Sequence, residues 1–328
     1  MYAPSRRLSS QSIVLLSIVL YGIGLLLYAL PLEVWREELY NQINWPIPEV
    51  PQRPSSSWLE FAIFVPVLAI TLIRLADFFV LLDKYEQRLS LLYLPLLLYI
   101  GLHPTCGGYY WPIPAGVLGV LGLLLGSYQK GECPSRMVLV GALLGLLGLS
   151  QAKVLLLLPI LLLMLYRLRS LSLRNLLATL HGLILSAFIA TPVLYLADQD
   201  YLLTHLRAWG ESWQTWSWPF IASGVSYPDL LSLVVVSVFL FFGIGMHYIR
   251  AQGENVRQRE QEASLMQLSI GGLICATLSA ESFEAFYFVI SIPSVILLAR
   301  GMGQLRDRAQ HIALSITIIL LLITALLH

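Results

Sequence analysis

Charge is scarce in this chain. Asp, Glu, Lys and Arg make up 12% of its 328 residues, against ~25% in soluble domains. So few charges cannot solvate the surface of an ordinary water-soluble domain. The formal net charge is +1, so no basic surplus points to nucleic acid. Cysteine is sparse as well. Cys106, Cys133 and Cys275 lie far apart, with no CxxC and no nearby histidine pattern, which argues against a metal site and a disulfide framework. No soluble domain and no clear internal repeat interrupts the sequence. A chain of intramembrane acids, as a proton pump would use, is missing. So is a matched pair of Gly/Pro-broken helices, which disfavours a transporter built on inverted repeats.

Long apolar runs fill the space that charge leaves. The chain is 57% hydrophobic, with a mean hydropathy of +0.75. Crossing a ~30 Å hydrocarbon core takes roughly 17–25 apolar residues in a helix. Eleven apolar segments can be drawn, roughly at 13–30, 59–83, 89–102, 112–128, 137–150, 153–166, 175–197, 229–249, 263–280, 284–299 and 311–327. The expectation is an all-α, polytopic integral membrane protein, a single membrane domain over residues 1–328 with about 11 transmembrane helices (roughly 9 to 12). Arg6 and Arg7 before the run Ile13–Leu30 resemble a signal peptide. That run is long for an h-region and Pro31 suits cleavage poorly, so it reads as a retained first helix.

Two segment pairs are divided only by short polar breaks, Ser150-Gln151-Ala152-Lys153 and Ala280-Glu281-Ser282-Phe283. A charge at the bilayer centre costs at least ~2.5–3.5 kcal/mol, so each break is expected to be a hairpin turn at the surface. Charge bias supports this drawing. With the N-terminus cytoplasmic, 15 of the 20 basic residues fall in inner segments. The outer segments hold only Arg36, Arg53, Lys153 and Arg207, and Arg74 lies within a helix. This is the positive-inside pattern, and it supports both the orientation and the two hairpin breaks. The turns Gly131-Glu132-Cys133-Pro134 and Gly301-Met302-Gly303 read as plain inner connectors, and Ala251–Glu262 as a solvated helical extension.

All eight tryptophans fall on the outer side of this drawing: Trp35, Trp45, Trp58, Trp111, Trp209, Trp213, Trp216 and Trp218. An ordinary aromatic belt decorates both interfaces, so the outer face is expected to bind something. Two long outer loops, 31–58 and 198–228, carry most of them. In the first, Leu32, Trp35 and Leu39 share one side of a short amphipathic helix, with Glu33 and Glu37 on another and Arg36 and Tyr40 next to them. These glutamates either face water or supply a general base. In the second, a short helix through Tyr201–Trp209 puts His205 and Trp209 at i, i+4. Arg207 suits a phosphate because its guanidinium offers a bidentate fork. The Trp209, Trp213, Trp216 and Trp218 cluster either anchors the loop at the interface or stacks on a sugar or lipid. Gly107-Gly108 marks a tight hairpin turn or a close approach to a ligand. Lys153 breaks the charge bias, as a phosphate-facing group or a snorkelling lysine. Arg74 and Asp77, at i, i+3, are expected to pair locally, and His181 and His247 to be core residues.

The stretch Gly141-Ala142-Leu143-Leu144-Gly145-Leu146-Leu147-Gly148-Leu149-Ser150-Gln151-Ala152-Lys153-Val154 leads to Leu158-Pro159-Ile160-Leu161, a basic turn, the helix 175–197 and the outer segment Asp198–Trp209. In helix rhythm this resembles the GT-C superfamily of polytopic glycosyltransferases that use polyprenyl-phosphate sugars, over residues 10–210, with 229–328 as added C-terminal helices. The overall style also resembles an integral-membrane family of Bacteroidota, a similarity that implies a compartment, the bacterial inner membrane, and no mechanism. The superfamily resemblance implies a lipid-linked sugar bound in the outer leaflet. It makes Glu33, Glu37 or Glu38 the acid that activates the acceptor, although the acidic pair of that superfamily, Asp-Asp or Asp-Glu, is absent. Lys153, His205 and Arg207 would hold the donor phosphate, and the tryptophans would bound the sugar. No metal ligand set stands out, and a divalent ion has no support in the sequence. The alternative is a non-catalytic membrane subunit or scaffold whose outer aromatic loops dock a membrane or periplasmic protein.

Overall fold

The computed structural model describes residues 57–90, 112–197, 199–214, 227–250, 255–279, 283–305 and 307–327, with five positions between 16 and 22. Among these residues the protein is all-helical, 88% helix without a strand. The helices are α1 (Ser57–Phe78), α2 (Pro112–Leu125), α3 (Pro134–Ser150), a 3-10 segment (Ala152–Leu157), α4 (Leu158–Arg167), α5 (Leu173–Ala197), α6 (Gln199–Ser212), α7 (Tyr227–Arg250), α8 (Val256–Leu278), α9 (Phe283–Gly303) and α10 (Asp307–Leu327). Three of them, α5, α7 and α9, are long and apolar enough to cross a membrane. At ~1.5 Å per residue, the 25 residues of α5 exceed the thickness of a hydrocarbon core. Pro192 and Pro293 sit inside α5 and α9, a placement that membrane helices tolerate better than soluble ones.

The chain divides into two compact units: 1–111, 226–247 and 295–328, and 112–225 with 248–294. In the second unit the two polar breaks are real. Helix α3 ends at Gln151, whose backbone turns extended (φ −139°, ψ 98°). The chain then descends through the 3-10 segment and α4. Both ends of this hairpin return to one place. Gln129 N donates to the Leu168 carbonyl at 3.0 Å, and the hydroxyls of Ser127 and Ser170 lie 3.1 Å apart. Asn175, fully buried, fastens two turns: its Oδ1 accepts from Cys133 N (2.9 Å), and its Nδ2 donates to the carbonyls of Gly131 (2.9 Å) and Ser170 (2.6 Å). The residues expected to be a plain connector are therefore clamped, and Glu132 also pairs with Arg174 at 2.8 Å.

With the hairpin between them, α3 and α5 run parallel and pack closely. A Cβ added at Gly141 would overlap the Thr179 carbonyl, one at Gly145 the Ser186 hydroxyl, and one at Gly182 the Val138 carbonyl. Small residues at four-residue spacing, Gly141 and Gly145 against Ala178, Gly182 and Ser186, let the two backbones meet. The second break gives an antiparallel hairpin of α8 and α9, in which Ser269 Oγ donates to the Ile290 carbonyl at 3.5 Å. Helix α8 begins seven residues before its expected span. The residues expected to be a solvated extension do form its first turns, but Gln261 and Glu262 are buried. Gln261 Nε2 reaches the Leu125 carbonyl at 3.4 Å, one of the orphan carbonyls of a helix end.

In the first unit, α1 stops at Phe78, short of the expected 83. The turn that follows holds Val80 at φ +56°, uncommon for a β-branched residue. Asp83 and Glu86 then cap each other's backbone N–H at 3.1 and 3.0 Å, a reciprocal capping box that opens the helical residues 84–90. The expected Arg74–Asp77 ion pair does not form. Both residues are exposed, and Asp77 Oδ1 instead accepts from Gln87 Nε2 at 3.1 Å, because the chain doubles back over the helix end. The expected connector Gly301-Met302-Gly303 is the last turn of α9, where a Cβ at Gly301 would lie 2.9 Å from the Phe242 ring. Arg300, expected in an inner loop, is buried and donates to the Leu81 carbonyl at 2.7 Å. His247 is buried as expected. His181 is exposed on α5, because the face of that helix that meets α3 lies on the Ala178–Gly182–Ser186 side.

Candidate functional site at the end of the α3–α5 pair

Helix α3 starts beside Asn175 and α5 starts with it, so the turns bearing Lys130, Arg136, Arg167, Arg169 and Arg174 gather at one end of the second unit. This is the basic end. The far ends of α3 and α5 lie opposite, and α6 follows there directly. The sequence of α6 is amphipathic. Leu202 is buried and Trp209 and Trp213 are half-buried, at i, i+7 and i+11, one face of a helix. That face packs on α5 and the 3-10 segment.

Trp209 is the pin. Its indole Nε1 donates to the Gly148 carbonyl at 2.7 Å, one of the last carbonyls of α3 and so without an intrahelical partner. Gly148 lacks a side chain that would fill this spot, and Leu155 packs there, 2.6 Å from where a Cβ would sit. Trp213 meets Trp209 edge-on, with ring centroids 6.0 Å apart at 69°. This geometry favours the ring quadrupoles.

Of the expected phosphate-binding set, Lys153 and Arg207 do not share a surface. Arg207 is exposed on α6, two residues from Trp209, so it projects from the opposite side of the helix. Glu211 is exposed one turn further on. Lys153 lies in the 3-10 segment beneath α6 and is 1% exposed, so its side chain is inside the bundle and not at the surface with Arg207. His205 lies within α6, and its side chain is outside the described residues, as are Trp216, Trp218, Glu33, Glu37, Glu38 and the Gly107-Gly108 turn. Among the described residues no group of three or more His, Cys, Asp and Glu could hold a metal ion. The residue that sequence reading missed is Gly148. Its signal was the small-residue spacing of α3, which marks where a backbone is left open to a neighbour.

At the basic end, burial pushes the Cys133 thiol up from its ordinary value, outweighing Arg136, Lys130 and the Asn175 side chain, which pull it down.

A family model described as a family of unknown function, DUF6427, matches residues 117–328. The match takes in α6, the Trp209–Gly148 contact and the basic turns, and it begins after Glu33, Glu37 and Glu38. No curated protein and no solved structure matches the chain.

Proposed function

The chain belongs to the family of unknown function DUF6427, and on its own residues we propose that it is a multi-pass protein of the bacterial inner membrane, related in style to GT-C glycosyltransferases, that acts on a lipid-linked sugar at the outer leaflet. On this reading it has about 11 spans, as apolar-run lengths suggest, and a cytoplasmic N-terminus. The observation that carries the proposal is the placement of α6. A tryptophan-pinned amphipathic helix sits at the end opposite the basic turns and leaves Arg207 open on its outer side.

The chemistry is a displacement at the anomeric carbon. The acceptor hydroxyl oxygen forms the new C–O bond as the bond to the polyprenyl phosphate breaks. The leaving phosphate takes the electron pair, and Arg207 balances its charge. A first-loop glutamate, Glu33, Glu37 or Glu38, takes up the acceptor's proton. The test is a sugar-transfer assay in membranes with Glu33→Gln, Glu37→Gln, Glu38→Gln and Arg207→Ala. Loss of transfer in one glutamate variant and in Arg207→Ala, with normal membrane levels, is expected. If all three glutamate variants stay active, the enzyme reading is wrong.

A second reading, a non-catalytic subunit or scaffold, draws on a different observation. Trp209 spends its N–H on Gly148, and Lys153 is buried, so two members of the expected sugar site serve packing. This reading expects a stable complex with a membrane or periplasmic partner that is lost in the triple variant Trp213→Ala, Trp216→Ala, Trp218→Ala. Normal assembly of that variant counts against it.

A further inference from the structure

We propose that a cleft at the basic end of the second unit binds the phosphodiester of an anionic glycerolipid headgroup. The cleft has a volume of about 740 Å³ and is lined by Tyr166, Arg167, Arg169, Leu171, Glu260 and Gln267. This lies within the ~300–1,000 Å³ of small-ligand sites. One wall is the end of α4 with its following turn, and the other is the first half of α8. Glu260 and Gln267 are two helical turns apart, which makes the α8 wall about 10 Å long.

Three features point to the ligand. The first is charge. The lining holds two arginines and one glutamate, a surplus of one positive charge that a single phosphodiester would balance. Arg167 Nε is held by Glu260 at 2.9 Å, which fixes the guanidinium and leaves its remaining N–H groups to donate. Arg169 is exposed and is held on a rigid turn. Its φ is +55°, its N–H donates to the Tyr166 carbonyl at 3.1 Å, and Ser170 N donates to the Leu165 carbonyl at 3.0 Å. A planar fork on a fixed backbone suits phosphate oxygens. The second feature is an unsatisfied acceptor on a residue that lines the cleft. Gln267 Oε1 is buried without a hydrogen-bond partner, two turns further along α8 than the ion pair. Buried polar atoms are nearly always satisfied, so a headgroup hydroxyl would complete it. The third is the rim. Tyr166, Leu171, Leu163 and Leu173 expose 46–74% of their surface around the same turn, an apolar border for acyl chains. Basic pockets between apolar helices are a recurrent way to hold anionic lipid headgroups.

The experiment uses the full-length protein, purified in detergent and incubated with an equimolar mixture of phosphatidylglycerol and phosphatidylcholine. Retained lipid is counted by native mass spectrometry. Phosphatidylglycerol is expected to be retained in preference to phosphatidylcholine. Arg169→Ala should lower its retention about fivefold, the weight of one basic residue near a lipid surface. Arg169→Gly, which suits the left-handed backbone and so guards against misfolding, should do the same. Gln267→Leu should weaken retention too, whereas Arg174→Ala, at the same end but outside the cleft, should leave it unchanged. Displacement of the lipid by millimolar inorganic phosphate would mean that the phosphate group alone is read. Resistance to it would mean that glycerol and acyl contacts are also needed. Equal retention of the two lipids, or retention unaffected in both Arg169 variants, would overturn the proposal.

Discussion

Single side chains decide where this chain turns. Asn175 bonds to three backbone groups from two separate turns, and no apolar residue of similar size can do so. Asn175→Ala would leave buried N–H and C=O groups unpaired, each costing ~1–3 kcal/mol. Water reaching the turns will recover part of this, so a loss of about 2–3 kcal/mol is expected, measured as a lowered melting temperature in detergent. Asn175→Asp should fall between, because a carboxylate still accepts from Cys133 N but cannot donate. The neighbouring thiol gives a pH prediction. Cys133 is buried and its thiol is pushed up from its ordinary value, so the folded state prefers the protonated form. Its share of stability is present below the ordinary thiol pKa and is lost as pH rises through the shifted one. A thiol reagent at mildly alkaline pH should therefore label Cys133 far more slowly in the folded protein than after denaturation. Equal rates would mean the thiolate is not suppressed. None of this was legible beforehand, because the sequence shows Asn175 and Cys133 only as unremarkable members of separate turns. Arg74 and Asp77 show the reverse error. Their i, i+3 spacing promised a pair, and only the doubled-back chain reveals Gln87 as the actual partner of Asp77.

At the scale of elements, the hairpins were the most readable feature. Both breaks appear within a residue or two of their expected places, but the first is not the surface turn that was expected, because Ala152 and Lys153 are buried in the 3-10 segment. Helix α8 was misread because polar composition near a helix start normally means solvent. Here Gln261 finds the end of α2, and Glu260 finds Arg167. That rescue depends on tertiary neighbours no local pattern encodes. The pairing of α3 with α5 was visible in principle, as small residues four apart, and it makes a sharp prediction. Gly145→Leu would drive a side chain into Ser186 and the Leu183 carbonyl. Overpacking ordinarily costs ~1–3 kcal/mol, and here backbone blocks relaxation, so the cost should reach at least the upper end. The α3–α5 crossing should open, seen as loss of monodisperse protein on size exclusion. Gly210→Ala is the matching control. It is a helical position in α6 with nothing within 4 Å of an added Cβ, so it should stabilise by about 0.5–1 kcal/mol.

The whole molecule is defined by what it leaves uncovered. Helix α5 has only 22% of its apolar window buried, and α7 44%, whereas the window of α9 is wholly buried. On α5 alone Leu177, Leu180, Ile184, Phe188, Ile189, Val193 and Leu196 are exposed. In water such a stripe would far exceed the few hundred Å² of apolar patch that soluble proteins tolerate. Against lipid tails it costs nothing. The same helix carries the basic turn at its start and α6 just beyond its end, so a membrane crossed by α5 separates Arg169 from Glu211. The positive-inside bias then sets which is which. In a background with Cys106, Cys133 and Cys275 replaced by alanine, an impermeant maleimide added to intact spheroplasts should label Glu211→Cys and not Arg169→Cys, until the membrane is opened. Because α3 and α5 are parallel and share their basic end, both residues belong to one rigid hairpin set and their labelling must be reciprocal. The inverse pattern would put α6 in the cytoplasm, away from any lipid-linked sugar of the outer leaflet, and with it would go the glycosyltransferase reading. The headgroup cleft would remain, facing the other leaflet, because it rests on its own arginines and not on the sidedness.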